Sequence, residues 1–208
     1  MNIPVVFEDD WLLVVNKPAG LLSVPTPRNE SRTLTGILNQ DAQERKLKYQ
    51  LYPCHRLDRD TSGLVIYAKA KSIEAKMADA FRDRKVGKKY IAFVHGKLPH
   101  AQGVISSAIE GKSARTKYKV IQEKSNYSVV EIIPVTGRTN QIRIHFKNIQ
   151  HPLVGEDKFA FRRDFVLRFK QVCLQARELE FAHPVTRKHL SLRLDLSDDL
   201  KKFLEGHE

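Results

Sequence analysis

The chain has 208 residues, enough to bury a substantial core as one domain over 1–208, and its 36 Lys and Arg outweigh 24 Asp and Glu to give a formal net charge of +12. So basic a balance points to a polyanionic partner, RNA or DNA ahead of an anionic membrane, and no apolar run approaches spanning length. Cys54 and Cys173 are the only cysteines, with no CxxC or Cys/His cluster near either, which removes support for zinc and disulfide scaffolds; the acidic start MNIPVVFEDD lacks the basic and apolar regions of a leader, so a cytoplasmic protein is expected.

Residues 5–7 and 12–15 are short β-branched and apolar runs around Glu8, Asp9 and Asp10, the pattern of a hairpin, after which Asn16-Lys17-Pro18-Ala19-Gly20 reads as a loop. Residues 23–32 (SVPTPRNESR) combine Pro, Ser, Asn and charge and are expected to be exposed; residues 33–43 suit a short helix. The continuous run 64–68 (LVIYA) is too short for a helix and predicts a buried strand. Ser72 is placed to cap a helix in which Ile73, Met77, Ala80 and Phe81 recur at helical spacing, with basic residues in its last turn and Gly87 as its stop.

Residues 90–94, 116–121 and 129–133 read as strands, and Leu190, Leu192 and Leu194 alternate as one face of another. Ile142, Phe146 and Ile149 keep a helical period. Strands and helices mix without the alternation of a doubly wound fold, so the expected class is α+β, a mixed and largely antiparallel sheet with flanking helices.

The richest stretch chemically is His55-Arg56-Leu57-Asp58-Arg59-Asp60-Thr61-Ser62-Gly63-Leu64, a loop of basic, acidic and hydroxyl groups that empties into the buried run. By residue type alone Asp60, Thr61, Ser62 and Gly63 read equally well as turn formers. The wording HRLDRDTSGL, however, resembles the signature of the RluA-type RNA pseudouridine synthases. Further segments resemble that family in the expected order: Asn16 to Gly20, Lys89-Tyr90, TGRTNQIRIH from Thr136 to His145, and HPLVG from His151 to Gly155.

The resemblance implies a pseudouridine synthase fold with a basic central cleft and a reaction on RNA, ribosomal or transfer, presented as a stem-loop. It makes Asp58 the catalytic residue, Arg143 its guanidinium partner and Tyr90 the aromatic that stacks on the target base. It implies neither cofactor nor metal, because isomerising uridine exchanges one glycosidic bond for another and imports nothing. The short form leaves no room for an N-terminal S4 module, and a monomer is expected.

Several basic residues are candidate RNA contacts. Arg56 is the side chain expected to fill the stack vacated by a flipped base, and Arg59 and Arg138 lie inside the family-like segments. Arg82, Arg84, Lys85, Lys88 and Lys89 crowd the approach to Tyr90, and Arg115, Lys117 and Lys119 alternate along one strand so as to share a face. Leu174 is a candidate pocket wall. The bland counterparts are a solvated helix terminus for the charge run, a solvated charge on an amphipathic helix for Arg143 and a core aromatic for Tyr90.

Two positions depart from the family pattern, which commonly has His where this chain has Asn140 and Gln175. Rival functions are a non-catalytic RNA-binding protein that kept the fold, and a glycoside or nucleoside hydrolase using Asp58 and Asp60. Two carboxylates so close in one loop need not flank a bond, which disfavours the hydrolase.

Overall fold

The computed structural model describes residues 2–27, 30, 32–160, 167 and 169–207. These residues form two compact units, 1–87 with 178–194 and 88–177 with 195–208. Among the described residues no helix is long and apolar enough to cross a membrane.

In the first unit, β1 (Val5–Glu8) and β2 (Leu12–Lys17) make the expected hairpin, and the carboxylate of Asp9 closes its turn by accepting from the Trp11 and Leu12 amides. β2 runs further than expected: Asn16 and Lys17 are strand residues, paired with Leu64 and Gly63 of β4 (Ser62–Ala68). The short β3 (Tyr52–Pro53) lies on the end of β4, also antiparallel. The strand order is β1-β2-β4-β9, and β10 (His189–Arg193) pairs antiparallel with β9 (Leu174–Ala182). Both faces of β4 are covered, which explains its unbroken apolar run.

Helix α1 (Leu34–Glu44) starts where expected, with Thr33 Oγ1 accepting from the Gly36 amide at 3.1 Å. Helix α2 (Lys71–Arg82) packs Ile73 and Met77 into a core with Leu12, Val14, Leu64, Ile66 and Phe181. The expected cap and stop of α2 are both wrong. Ala70 occupies the N-cap position without a side-chain bond, which leaves Ser72 inside the first turn, and Gly87 belongs to the next strand, β5 (Gly87–His95). The helix ends because Arg84 turns left-handed at φ 58°, so that the amides of Arg84 and Lys85 return to the carbonyls of Phe81 and Ala80.

The segment 23–32 is not uniformly exposed. Ser23 is buried, since its hydroxyl both donates to the Leu57 carbonyl (2.8 Å) and accepts from the Leu57 amide (3.0 Å). Residues 28, 29 and 31 of that segment lie outside the described residues.

In the second unit the order is β9-β5-β8-β7-β6, with β6 (Gln102–Ser106), β7 (Arg115–Glu123) and β8 (Tyr127–Pro134) antiparallel to their neighbours. Alternation along β5 divides the core into two. Ala92 and Val94 pack with Ile142 and Phe146 of α3 (Gln141–Asn148), whereas Ile91 and Phe93 pack with Leu200 and Phe203 of α4 (Asp198–Gly206). The α+β expectation therefore holds, with an antiparallel sheet and flanking helices.

Candidate active site

The loop that carries Asp58 is fixed by the backbone and side chains of its own unit. The Cys54 amide donates to the Ile66 carbonyl at 2.9 Å, and the Ile66 amide donates to Nε2 of His55 at 3.1 Å, so an imidazole continues the strand ladder where the chain departs from it. As an acceptor, Nε2 of His55 carries no proton in this arrangement. Leu57 points inward and is held by Ser23, while the Thr61 amide closes a turn on the Asp58 carbonyl at 3.2 Å. At Gly63 φ is 119°, a conformation that side chains rarely adopt, and this residue returns the chain to the sheet opposite Lys17.

Beneath the loop lies a lysine with no exposed surface. Lys17 Nζ donates to the carbonyls of Pro18 (2.9 Å), Leu21 (2.6 Å) and Arg59 (3.0 Å), which uses all three of its N–H groups. The Gly20 amide also donates to the Arg59 carbonyl, so the two family-like segments are stitched together. Burial pulls the Lys17 ammonium down to about 8, opposed by the attraction of Asp60 and Asp58. Within this frame Asp58 is half-buried, and Arg56 and Arg59 are exposed. Such a loop can present a carboxylate at a fixed position beside positive charge.

The TGRTNQIRIH segment builds the corresponding part of the second unit. Gln141 ties the start of α3 to β7: its Oε1 accepts from Thr136 Oγ1 (2.6 Å) and the Arg138 amide (3.1 Å), and its Nε2 donates to the Arg115 carbonyl and Thr116 Oγ1. His145 reaches the same Thr116 hydroxyl at 2.9 Å. Asn140 adopts φ 53°, which its short amide tolerates, and accepts from Arg143 Nη1 at 3.2 Å. The departure at Asn140 thus bears on the orientation of Arg143.

Arg143 is not the solvated helix charge of the bland reading. Its side chain is 3% exposed and its Nε and Nη2 donate to the two carboxylate oxygens of Glu156 at 2.7 and 2.8 Å. The Phe159 ring also lies 5.2 Å from the guanidinium carbon. Burial pushes the Glu156 carboxyl up, but Arg143 and the amides of Lys158 and Phe159 outweigh it and hold the group below the usual range, as an anion. The sequence pattern missed Glu156 and the burial of Lys17. The available signals were only that Glu156 follows HPLVG and that Lys17 opens a family-like segment.

Tyr90 is half-buried on β5 and packs against the cluster that contains Ile142, Phe146 and Leu174. Leu174 is itself 3% exposed and buried in that cluster. Gln175, the second departure, is also buried, with its amide between the Asp195 carbonyl (3.0 Å) and the Ser197 amide (3.2 Å), where it positions the entry to α4.

Among the charged candidates, Arg115, Lys117 and Lys119 share the exposed face of β7 as expected, with Thr116 and Tyr118 inward. Arg138 is exposed and reaches the Ser113 carbonyl at 3.3 Å. Arg82 and Lys85 already sit in surface ion pairs with Asp79 and Asp83, Arg84 is the exposed helix-ending residue, and Lys88 and Lys89 are half-buried at the start of β5.

A model of the RNA pseudouridylate synthase family matches residues 11–148, a span that contains Asp58, Tyr90 and Arg143. The chain belongs to the RNA pseudouridylate synthase family. Among curated proteins it is 32% identical over 223 residues to the uncharacterized RNA pseudouridine synthase YlyB of Bacillus subtilis, covering 99% of this chain and 73% of that one. It is 34% identical over 206 residues to the dual-specificity RNA pseudouridine synthase RluA of Pasteurella multocida, covering 91% of each. Among solved structures, human RNA pseudouridylate synthase domain containing 4 superimposes with a TM-score of 0.81 at 24% identity, covering 97% of this chain and 92% of that one, a likeness of fold. This pseudouridine synthase is accordingly an isomerase that acts on RNA.

Proposed function

We propose that this synthase is of the RluA type and isomerises particular uridines in ribosomal or transfer RNA stem-loops, without a cofactor, as a cytoplasmic monomer whose two units serve one catalytic domain. The observation that most supports Asp58 as the reactive group is the construction of its loop, a half-buried carboxylate on a backbone held by Lys17, Ser23 and His55. A group that attacks or deprotonates a sugar must hold its aim within a fraction of an ångström, and a loop so pinned meets that need.

In the reaction the C1′–N1 bond breaks, the uracil turns, C5 bonds to C1′, and the C5 proton leaves while N1 takes one up. Asp58, ionised, either attacks C1′ or removes the 2′ proton. Arg143 keeps that carboxylate charged and planar in a partly dry site. Tyr90 stacks on the target base, and Arg56 occupies the place the flipped base leaves. Arg59, Arg82, Arg84, Lys85, Lys88, Lys89, Arg115, Lys117 and Arg138 are assigned to phosphates along a basic cleft, and Leu174 to its apolar wall.

The test is release of tritium from RNA labelled at uracil C5, with purified wild type and Asp58→Asn and no added cofactor. Release from ribosomal or transfer RNA by wild type alone is expected. Equal release by Asp58→Asn refutes the assignment of Asp58, and binding without release by wild type favours a non-catalytic RNA-binding protein.

A further inference from the structure

Within its own unit the Arg143 guanidinium is held at each of its three nitrogens. Glu156 Oε2 takes the Nε–H at 2.7 Å and Oε1 takes an Nη2–H at 2.8 Å, a side-on bidentate pair with both side chains at most 3% exposed. Asn140 Oδ1 takes an Nη1–H at 3.2 Å. The carboxylate is itself immobilised, since Oε1 also accepts the amides of Lys158 (2.9 Å) and Phe159 (3.2 Å) and the Glu156 amide donates to the Leu153 carbonyl.

The backbone beside it is closely packed. Gly155 stands at φ 79°, and a Cβ there would run into the Gln171 carbonyl oxygen. An arginine side chain has four rotatable bonds, and a lone contact leaves most of that freedom, whereas a planar two-point pair to a fixed carboxylate removes it.

We propose that Glu156 is a positioning residue for the isomerisation, fixing the plane of the Arg143 guanidinium and balancing its charge so that the reactive carboxylate is oriented without being over-stabilised. The inference rests on the reading of Arg143 as partner of Asp58. A cation shared between two carboxylates stabilises each anion less than an unshared one, and a less stabilised Asp58 is the better nucleophile and base. Removing the Glu156 charge should therefore disturb both the aim of the guanidinium and the acid titration of the reaction.

Single-turnover tritium release and RNA binding by the full chain test this, with Glu156→Gln and Glu156→Asp beside wild type and Asp58→Asn. Glu156→Gln keeps the size but turns an amide toward the Nε–H, and is expected to lower the rate constant by about 100-fold, as an ångström-scale misplacement does. Its RNA dissociation constant should stay near that of wild type, and the acid limb of its rate profile should move to lower pH. Glu156→Asp retains the charge but not the reach, so it should slow the reaction with the acid limb in place.

The other charged groups nearby are unchanged in every variant: Lys158, whose ammonium lies 5.1 Å from the Phe159 ring centre, and exposed Asp157 beside Glu156, with Lys17, whose ammonium attracts Asp60 and Asp58, in the unit of Asp58. A folded Glu156→Gln with the wild-type rate and limb, whatever its melting temperature, overturns the proposal. Should that variant fail to fold, Glu156→Asp decides: a slowed rate with intact RNA binding supports the proposal, and a wild-type rate overturns it. Release by Asp58→Asn at the wild-type rate would instead sink the underlying assignment of Asp58, independently of Glu156.

Discussion

Replacing Lys17 by Met should change how stability depends on pH in a direction opposite to that expected for a lysine held in an ion pair. The ammonium is fully buried, and its pKa in the folded protein is about 8, against 10.5 for an ordinary lysine side chain. A base depressed by folding makes the unfolded chain bind more protons between those limits, so stability rises with pH across the window and is lost again as pH falls through 8. The full span is on the order of 3 kcal/mol, of which about 1 kcal/mol falls between pH 7 and pH 9.

Other groups act oppositely at the alkaline end. Burial pushes Cys54 up to about 12 and raises Cys173 and Tyr67 too, so each favours the unfolded chain once it ionises there. They are common to both proteins and cancel in the difference. Urea unfolding of wild type and Lys17→Met at pH 7, 8 and 9, at constant ionic strength, should give a stability difference that shifts toward wild type by about 1 kcal/mol from pH 7 to pH 9. A flat or falling difference would refute the placement of a desolvated cation under the Asp58 loop.

Arg143→Met should abolish turnover and also cost about 3–5 kcal/mol in urea unfolding, because Glu156 is left buried without its cation. Ser23→Ala removes both bonds to the Leu57 backbone and should cost about 1–2 kcal/mol, with faster amide exchange at Leu57. Gly155→Ala should lower stability by at least about 2 kcal/mol, since the new methyl meets the Gln171 carbonyl and the backbone is left-handed there; soluble yield and thermal unfolding both report it. RNA affinity should fall with salt at a logarithmic slope of about 0.7 per neutralised single-strand phosphate, and Lys117→Ala should reduce that slope by about one such step.

Local chemistry made much of this molecule legible before its fold was known. The β1/β2 hairpin, the short helix after residue 33, the doubly buried β4 and the alternating charges of β7 each depend on neighbours within a few residues, and each stands where the pattern placed it. The family-like segments were equally readable, since they are short and contiguous. Where local signals competed, they misled: Ser72 is a good cap residue in the wrong turn of α2, and the left-handed Arg84 ends that helix before Gly87. Strands β6 and β9 escaped notice because their sequences alternate weakly and take their identity from pairing and packing, whereas α4 was missed although Leu200, Phe203 and Leu204 recur at helical spacing behind Asp198 and Asp199.

Lys17 shows the boundary between the two kinds of information. Its presence in a family-like segment was plain, but a lysine is ordinarily solvated, and only a carbonyl brought from Arg59, 42 positions along the chain, completes the cage that lets it be buried. The bland reading of Arg143 as a solvated surface charge fails for the same reason, because Glu156 reaches it from 13 positions away on a left-handed backbone that suits Gly155. Sequence determined which residues carry charge and where short elements begin. Tertiary structure decided which of those charges lose water, because desolvation depends on partners that the chain supplies from a distance.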